Sequence, residues 1–391
     1  MHNKSLIFLF FILCFTVSAQ NIEKTIILKD ATTNASIVDA TVLVLKTKQN
    51  LMSNAEGEVS LSLKGATNIQ ITHTSYVGIT IRSSTLKEKV TVIYLKNNVT
   101  DLDEIILTKR HPQKILESLI ENSKKKLTVP ARLKVYSREF FKLNGNYSYY
   151  NDGLMNFQIY GRTKKLNSNI LVEQNRSIGL IDADISADLL GYNLNDIMEN
   201  YYSFKYLNPL LESTAMKEYE FIIKVYSKNK EYNAIIAIPT EKAKGLADEF
   251  TIIYNPDEKL IVEVSSEISP SSFSKIKDKT AIGSKNIYKS LFKTIYKINP
   301  NEYYLVSSKE EIGFEKIEKE MTKNIEVRNY FITTNFSNQN YSCKESEVFK
   351  DKTLFNKKNV ILSDYWNVSG LSATNEEEEI IDSIERSEFP Q

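Results

Sequence analysis

The stretch Lys293-Thr294-Ile295-Tyr296-Lys297-Ile298-Asn299-Pro300-Asn301-Glu302-Tyr303-Tyr304-Leu305-Val306-Ser307-Ser308 holds the fold of this chain in miniature. Lys293 to Ile298 reads as a strand rich in β-branched and aromatic side chains. Asn299-Pro300-Asn301-Glu302 is a turn, because proline presets φ for the second turn position and asparagine tolerates the next one. Tyr303 to Ser308 is the returning strand. The same device stands upstream, where Phe250 to Tyr254 passes through Asn255-Pro256-Asp257-Glu258 into Leu260 to Ser265. Tyr219 to Tyr226 pairs with Tyr232 to Ile238 in a third hairpin. Leu133 to Phe141, Tyr147 to Tyr160, Ile170 to Glu173 and Ile325 to Phe336 add further strands. The pattern predicts a mainly β chain with one large, twisted, half-barrel-like antiparallel sheet over 131–345. A helical insert at 183–211 interrupts it: Ala183 to Leu190 stopped by Gly191, then Leu194 to Phe204 and Leu207 to Leu211.

Upstream, residues 20–98 read as a second, smaller β unit. Glu58 to Leu63 alternates, with Val59, Leu61 and Leu63 inward and Ser60 and Ser62 outward. Asn54-Ala55-Glu56-Gly57 before it is a turn in which Gly57 is free to take positive φ. With Thr25 to Leu28, Ala40 to Leu45, Ile69 to Tyr76, Ile79 to Arg82 and Val90 to Leu95, the spacing predicts a seven-stranded β-sandwich without a long helix.

The chain begins Met1-His2-Asn3-Lys4-Ser5, runs apolar from Leu6 to Phe15, and continues Val17-Ser18-Ala19. A basic start, a short apolar core and a small-x-small end are the parts of an export signal over 1–19, with cleavage after Ala19. The run is shorter than the roughly 20 residues a membrane span needs. The expected mature chain keeps 49 basic and 49 acidic side chains, since only Lys4 leaves. Neutral, interspersed charge argues against nucleic acid, which requires a clustered basic surface. No second long apolar segment predicts a transmembrane span. Cys14 leaves with the signal, so Cys343 stands alone and no intrachain disulfide is expected.

Within the small β unit, Asp30, Thr33, Ile37, Ala40 and Val42, then Asn54-x-Glu56-Gly57-x-Val59, then Ser75-Tyr76-Val77-Gly78, resemble the carboxypeptidase regulatory-like domain. That domain is a transthyretin-like β-sandwich found at the start of exported proteins of Bacteroidetes-type bacteria. Leu102-Asp103-Glu104-Ile105-Ile106 resembles the segment that closes it. Two positions depart: Leu28 replaces the usual glycine, and Ile79 the usual aromatic. The resemblance implies a structural or interaction module, since in metallocarboxypeptidases this sandwich lies beside the catalytic domain and cuts nothing itself. The larger sheet is similar in outline to the half-barrels of periplasmic lipoprotein carriers.

Residues 99–130 form a linker and helix. Pro112 suits a first helical turn, Ile115, Leu116, Leu119 and Ile120 make one apolar stripe, Lys124 to Lys126 complement the C-terminal dipole, and Pro130 follows. This helix is expected to join the sandwich to the sheet. In the tail, 346–391, Thr374-Asn375-Glu376-Glu377 is a capping box for a short helix with Ile380, Ile381 and Ile384 on one side. Trp366 is expected to anchor the tail, and its Tyr-Trp pair with the acidic helix resembles the closing segment of the same exported proteins.

No catalytic or metal motif emerges. His73 and His111 are the histidines of the mature chain; neither stands in metal-ligand spacing, and no Gly-x-Ser-x-Gly elbow or glycine-rich phosphate loop occurs. His73 shares strand parity with Ile69 and Ile71 and reads as a half-buried sheet residue. The expectation is a non-enzymatic exported envelope protein, without cofactor or catalytic residues, that binds another envelope protein or a glycan through a surface rich in its 22 tyrosines. The alternatives are a carrier or sensor of an apolar ligand on the concave side of the sheet and a glycan hydrolase using two carboxylates.

Overall fold

The computed structural model describes residues 22–97, 104–162, 165–179, 193–243, 247–273, 285–318, 321–340, 342–355, 357–361 and 370–388. The signal segment 1–19, Leu102 and Asp103, the first half of the helical insert (Ala183 to Gly191) and Trp366 lie outside the described residues. Seven strands build the sandwich: β1 (Ile22–Asp30), β2 (Thr41–Val44), β3 (Gln49–Met52), β4 (Glu58–Leu63), β5 (Asn68–His73), β6 (Tyr76–Arg82) and β7 (Val90–Leu95). They form a three-stranded sheet, β4-β1-β7, facing a four-stranded one, β3-β2-β5-β6. Ile26, Leu28, Val42, Val44, Leu61, Ile69 and Ile71 fill the space between. Val59, Leu61 and Leu63 point inward as their alternation requires. Gly57 takes φ +79°, and a Cβ there would lie 2.5 Å from the Leu28 carbonyl oxygen. Asn54 Oδ1 holds the turn by accepting from the Glu56 and Glu58 amides.

The second unit is a ten-stranded antiparallel sheet. Its strands are β8 (Ala131–Leu143), β9 (Asn146–Arg162), β10 (Lys165–Gly179), β11 (Tyr219–Val225), β12 (Asn233–Pro239), β13 (Asp248–Asn255), β14 (Leu260–Ile268), β15 (Lys285–Asn299), β16 (Glu302–Glu318) and β17 (Met321–Ser337). The order β10-β9-β8-β17-β16-β15-β14-β13-β12-β11 is two meanders joined where β17 meets β8. Pro300 and Asn301 form a two-residue loop, with Asn299 opposite Glu302. Asn255 Oδ1 accepts from the Asp257 and Glu258 amides, as the matching turn upstream demands.

The two edge strands do not meet, so the sheet is open, and each edge is met by an extended piece of the chain. At β11, the Ile106 amide donates to Ile223 and the Val225 amide to Glu104. Glu104 to Ile106 therefore extends the large sheet rather than closing the sandwich. At β10, Asn175 and Val360 exchange both backbone bonds.

The faces carry different cover. Helix α1 (Pro112–Lys126) and helix α2 (Leu194–Tyr202) lie on one of them. His111, the N-cap of α1, sets its ring edge against Phe221, and Ser123 Oγ accepts from the Ile261 amide. So α1 docks on the sheet, away from the sandwich it was expected to join. Tyr201 of α2 meets Phe292 and Phe331. Leu194, Ile197, Met198, Phe204, Leu207 and Leu210 complete that core. The sandwich sits on the opposite face, where Lys293 pairs with Asp39 at 3.0 Å and Thr74 Oγ1 donates to Glu263 at 2.7 Å. Among the described residues no helix is long and apolar enough to cross a membrane.

Part of the tyrosine content lies inside the protein, while Tyr94 and Tyr160 are exposed. Tyr136, Tyr149, Tyr150, Tyr202, Tyr296 and Tyr303 are fully buried. Their rings fill the core of the large sheet, and several hydroxyls find internal acceptors, as Tyr303 does at the Ile261 carbonyl.

Gly57→Ala is expected to cost about 2–3 kcal/mol, the scale of a residue forced into a left-handed conformation. Urea unfolding checks this; an unchanged midpoint would contradict the turn geometry.

Candidate functional site

Three consecutive pairs decide where charge lies on the large sheet: Arg138-Glu139, Lys309-Glu310 and Arg328-Asn329. Successive strand residues point to opposite faces, and directly opposed antiparallel residues share a face. Asn151 opposes Glu139, Glu139 opposes Asn329, Asn329 opposes Glu310, and Glu310 opposes Phe292. These five residues form one row across β9, β8, β17, β16 and β15, on the helix-bearing face. The cations of the three pairs all go to the other side.

In this row Glu139 and Glu310 are half-buried, and no cation among the described residues pairs with either. Burial pushes both carboxyls up to about 7. Asn329 between them is 5 % exposed, and its Oδ1 has no hydrogen-bond partner. Asp248, farther along the same face, is also held above the usual carboxylate range by burial, with the Ser266 and Ser290 hydroxyls at 3.4 Å pulling the other way. The row runs between two apolar regions. On one side lie Phe331 and Tyr201, whose hydroxyl accepts from Ser308 Oγ at 2.7 Å. On the other lies a separate cluster of Phe141, Tyr149, Phe314, Ile325 and Val327.

The opposite face is covered by the tail and the sandwich, though Arg328 Nε and Lys297 Nζ are buried there without a hydrogen-bond partner among the described residues. Arg138, 5 % exposed, donates from Nη1 to Glu377 Oε2 at 2.9 Å and from Nη2 to the Leu371 carbonyl at 3.0 Å. Arg328 reaches Glu377 Oε1 at 3.4 Å and stacks over Phe140. Glu377 belongs to helix α3 (Asn375–Glu388), whose capping box is closed by the Glu377 amide to Thr374 Oγ1 and the Thr374 amide to Glu377 Oε2. Ile381 and Ile384 bury against Phe140, Tyr150 and Ile178. Beside this clasp, Arg176 pairs with Asp152 at 3.0 Å, and Tyr136 and Tyr150 donate to the same carboxylate. A cavity of about 190 Å³ lies between sandwich and sheet, lined by Asp39, Thr72, His73, Val262 and Lys297 among others.

The residues singled out in the sequence are dispersed. His73 is half-buried at the sandwich–sheet seam. Its Nδ1 accepts from the Ser75 amide, and burial lowers it to about 4. His111 caps α1 through Nδ1 and the Gln113 amide. Cys343 is half-buried and free, with Asn169 Nδ2 at 3.8 Å from its sulfur. Among the described residues no group of three His, Cys, Asp or Glu side chains is placed to hold a metal. Glu139, Asn329 and Glu310 carry no local motif; the dipeptide pairs were their trace in sequence, and only the register brings them together.

No family model matches this chain, and no curated protein matches it. Among solved structures, one described as "lipid-protein interactions in lipovitellin" overlaps at 9 % identity, over 61 % of this chain and 28 % of that one, with a TM-score of 0.24. The chain thus spans a little over a quarter of that protein's length, an overlap too shallow to carry a shared fold.

Two outcomes follow from these charges. For Glu139 and Glu310, the folded chain holds protons up to near pH 7 that the unfolded chain releases in the ordinary carboxyl range. The unfolding free energy therefore falls as pH rises through that window. A Glu139→Gln/Glu310→Gln variant is expected to show a smaller drop in urea midpoint between pH 5 and pH 7.5 than the wild type; an identical drop would contradict the assignment. Glu377→Ala strands two guanidinium groups and is expected to cost about 3–5 kcal/mol, read from the same denaturation; a loss below 1 kcal/mol would contradict the clasp.

Proposed function

We propose that this chain is a non-enzymatic binding protein of the cell envelope, exported through its first 19 residues, and that its ligand lies on the Glu139–Asn329–Glu310 row. One observation carries the reading. On a face otherwise occupied by the chain's own core, this row sets the Asn329 oxygen, without a hydrogen-bond partner among the described residues, between two half-buried carboxyls. Unsatisfied buried polar groups cost free energy that a ligand's donors recover. The roles of the histidines support it further, since one is held by a local amide and the other caps a helix. The resemblance of the first unit to the carboxypeptidase regulatory-like sandwich supports an interaction role as well.

Carriage of an apolar ligand is the second reading, for which the breadth of the open ten-stranded sheet speaks, although the rings around Phe141 and Phe314 are already packed among themselves. The opposite flank of the row is already filled by α2 and the turns after it. Hydrolysis of glycans by the same acids is the enzymatic counterpart. The two glutamates stand two strand spacings apart, about 10 Å between Cα atoms, and the outcome below separates this case.

Native mass spectrometry of the full chain purified from producing cells is expected to show a small-molecule adduct that Glu139→Gln/Glu310→Gln loses. Turnover of aryl glycosides by the wild type, abolished in that variant, would make the pair catalytic and overturn the reading.

A further inference from the structure

The cavity of about 190 Å³ between the sandwich and the large sheet is lined from both sides. On β15, Thr294 and Tyr296 turn to the helix-bearing face, where their hydroxyls meet the Tyr206 hydroxyl and the Tyr201 carbonyl. Alternation therefore sends Lys293, Ile295 and Lys297 to the sandwich side. On β5, Ile69 and Ile71 enter the sandwich core, which turns Gln70 and Thr72 outward onto the same cavity. Thr41 stands directly opposite Thr72.

The charges around this space do not cancel. Lys293 is matched by Asp39 at 3.0 Å and Glu263 at 3.4 Å, and Glu263 also accepts from Thr74. Lys297 has no such match: its Nζ is buried without a hydrogen-bond partner among the described residues. Glu302 attracts it from beyond ion-pair distance and is itself bonded to Asn299 Nδ2 at 3.3 Å. Burial accordingly holds the Lys297 ammonium below its usual range. His73 adds a second donor. Its Nδ1 accepts from the Ser75 amide, so the neutral ring carries its proton on Nε2.

These groups fix the sign and the size of what the cavity takes. A desolvated, unmatched ammonium calls for one negative charge. Cationic ligands repeat its charge, and alcohols leave it unneutralised. Phosphate brings more negative charge than one ammonium matches, close to Asp39 and Glu263. A carboxylate offers two oxygens, one for Lys297 and one for the His73 Nε2 proton. Val262 and Ile295 supply an apolar wall. The volume exceeds the roughly 150 Å³ of an apolar cavity that admits benzene, which leaves room for one ring beside the carboxylate.

We propose that the seam between sandwich and sheet is a second binding site, taking a small organic monocarboxylate with an apolar body, its carboxylate held by Lys297 and His73. The site lies on the face opposite Glu139 and Glu310 and stands independently of that row. Thr72 and His73 come from the sandwich and Lys297 from the sheet, so an occupant joins the two units.

Isothermal titration of the full chain with benzoate, benzyl alcohol, benzylammonium and inorganic phosphate tests this. Benzoate is expected to bind at least tenfold more tightly than each of the others. Lys297→Met, which keeps the reach of the side chain without its charge, is expected to weaken benzoate at least tenfold, with the fold checked by circular dichroism. In the wild type, labelled at isoleucine and valine methyls, benzoate is expected to shift Val262 and Ile295 and to leave Ile325 and Val327 unmoved. Equal or tighter binding of any of the other three probes would overturn the carboxylate assignment. Benzoate affinity unchanged in Lys297→Met, or shifts confined to Ile325 and Val327, would overturn the placement at the seam. Absence of benzoate binding would overturn the proposal and leave the reading of the Glu139–Asn329–Glu310 row standing.

Discussion

The alternation of strand faces, applied to Arg138-Glu139, Lys309-Glu310 and Arg328-Asn329, is the constraint from which both surfaces of the large sheet follow. Each pair sends a cation to one side and an acceptor to the other. On the cation side, Glu377 gathers two arginines and the tail helix closes over them. On the acceptor side, two carboxyls and an amide have no counter-charge among the described residues. A slip of one residue in the pairing of β8 with β17 would exchange these populations and bring Phe331 out of the core. The register that packs Phe331 is therefore the register that makes the acidic row.

The clasp also explains how three parts of the chain hold together. Glu377 closes a helix cap and neutralises buried guanidinium groups at once. The backbone leading into that helix meets the sandwich, where the Met52 amide donates to Gly370 and the Ser60 amide to Ser372 Oγ. Gly370 takes φ +78° against Tyr136, where a Cβ would lie 2.7 Å from the Tyr136 Cβ and 2.9 Å from its ring. Sandwich, sheet and tail thus share one seam. Lys293 with Asp39 and Glu263 ties its far end.

Turn chemistry made the hairpins legible. Asn299-Pro300-Asn301-Glu302 and Asn255-Pro256-Asp257-Glu258 act over a few residues, so the sequence alone locates them, and the capping box at Thr374 is equally local. What depends on distant partners was not legible. Strand β3 carries no strand signature in Gln49-Asn50, which is polar; Asn50 is buried there, with its Nδ2 3.5 Å from the Tyr304 hydroxyl. β10 runs well beyond Ile170–Glu173, its polar flanks sustained by pairing with β9 across a bulge. The abundance of tyrosine suggested a docking surface, whereas the large sheet buries six of the rings completely, Tyr136, Tyr149, Tyr150, Tyr202, Tyr296 and Tyr303. The acidic row needed the pairing of β8 with β17, a join between strands far apart in sequence, which no local pattern encodes.

Carbon-detected NMR titration of the Glu139 and Glu310 side-chain carboxyls reads the central claim directly. Both are predicted to titrate near pH 7, because desolvation without a nearby cation favours the neutral acid. Midpoints at the ordinary glutamate value, about 4.3, would mean that the two side chains are solvated or paired with a cation, and would contradict the account.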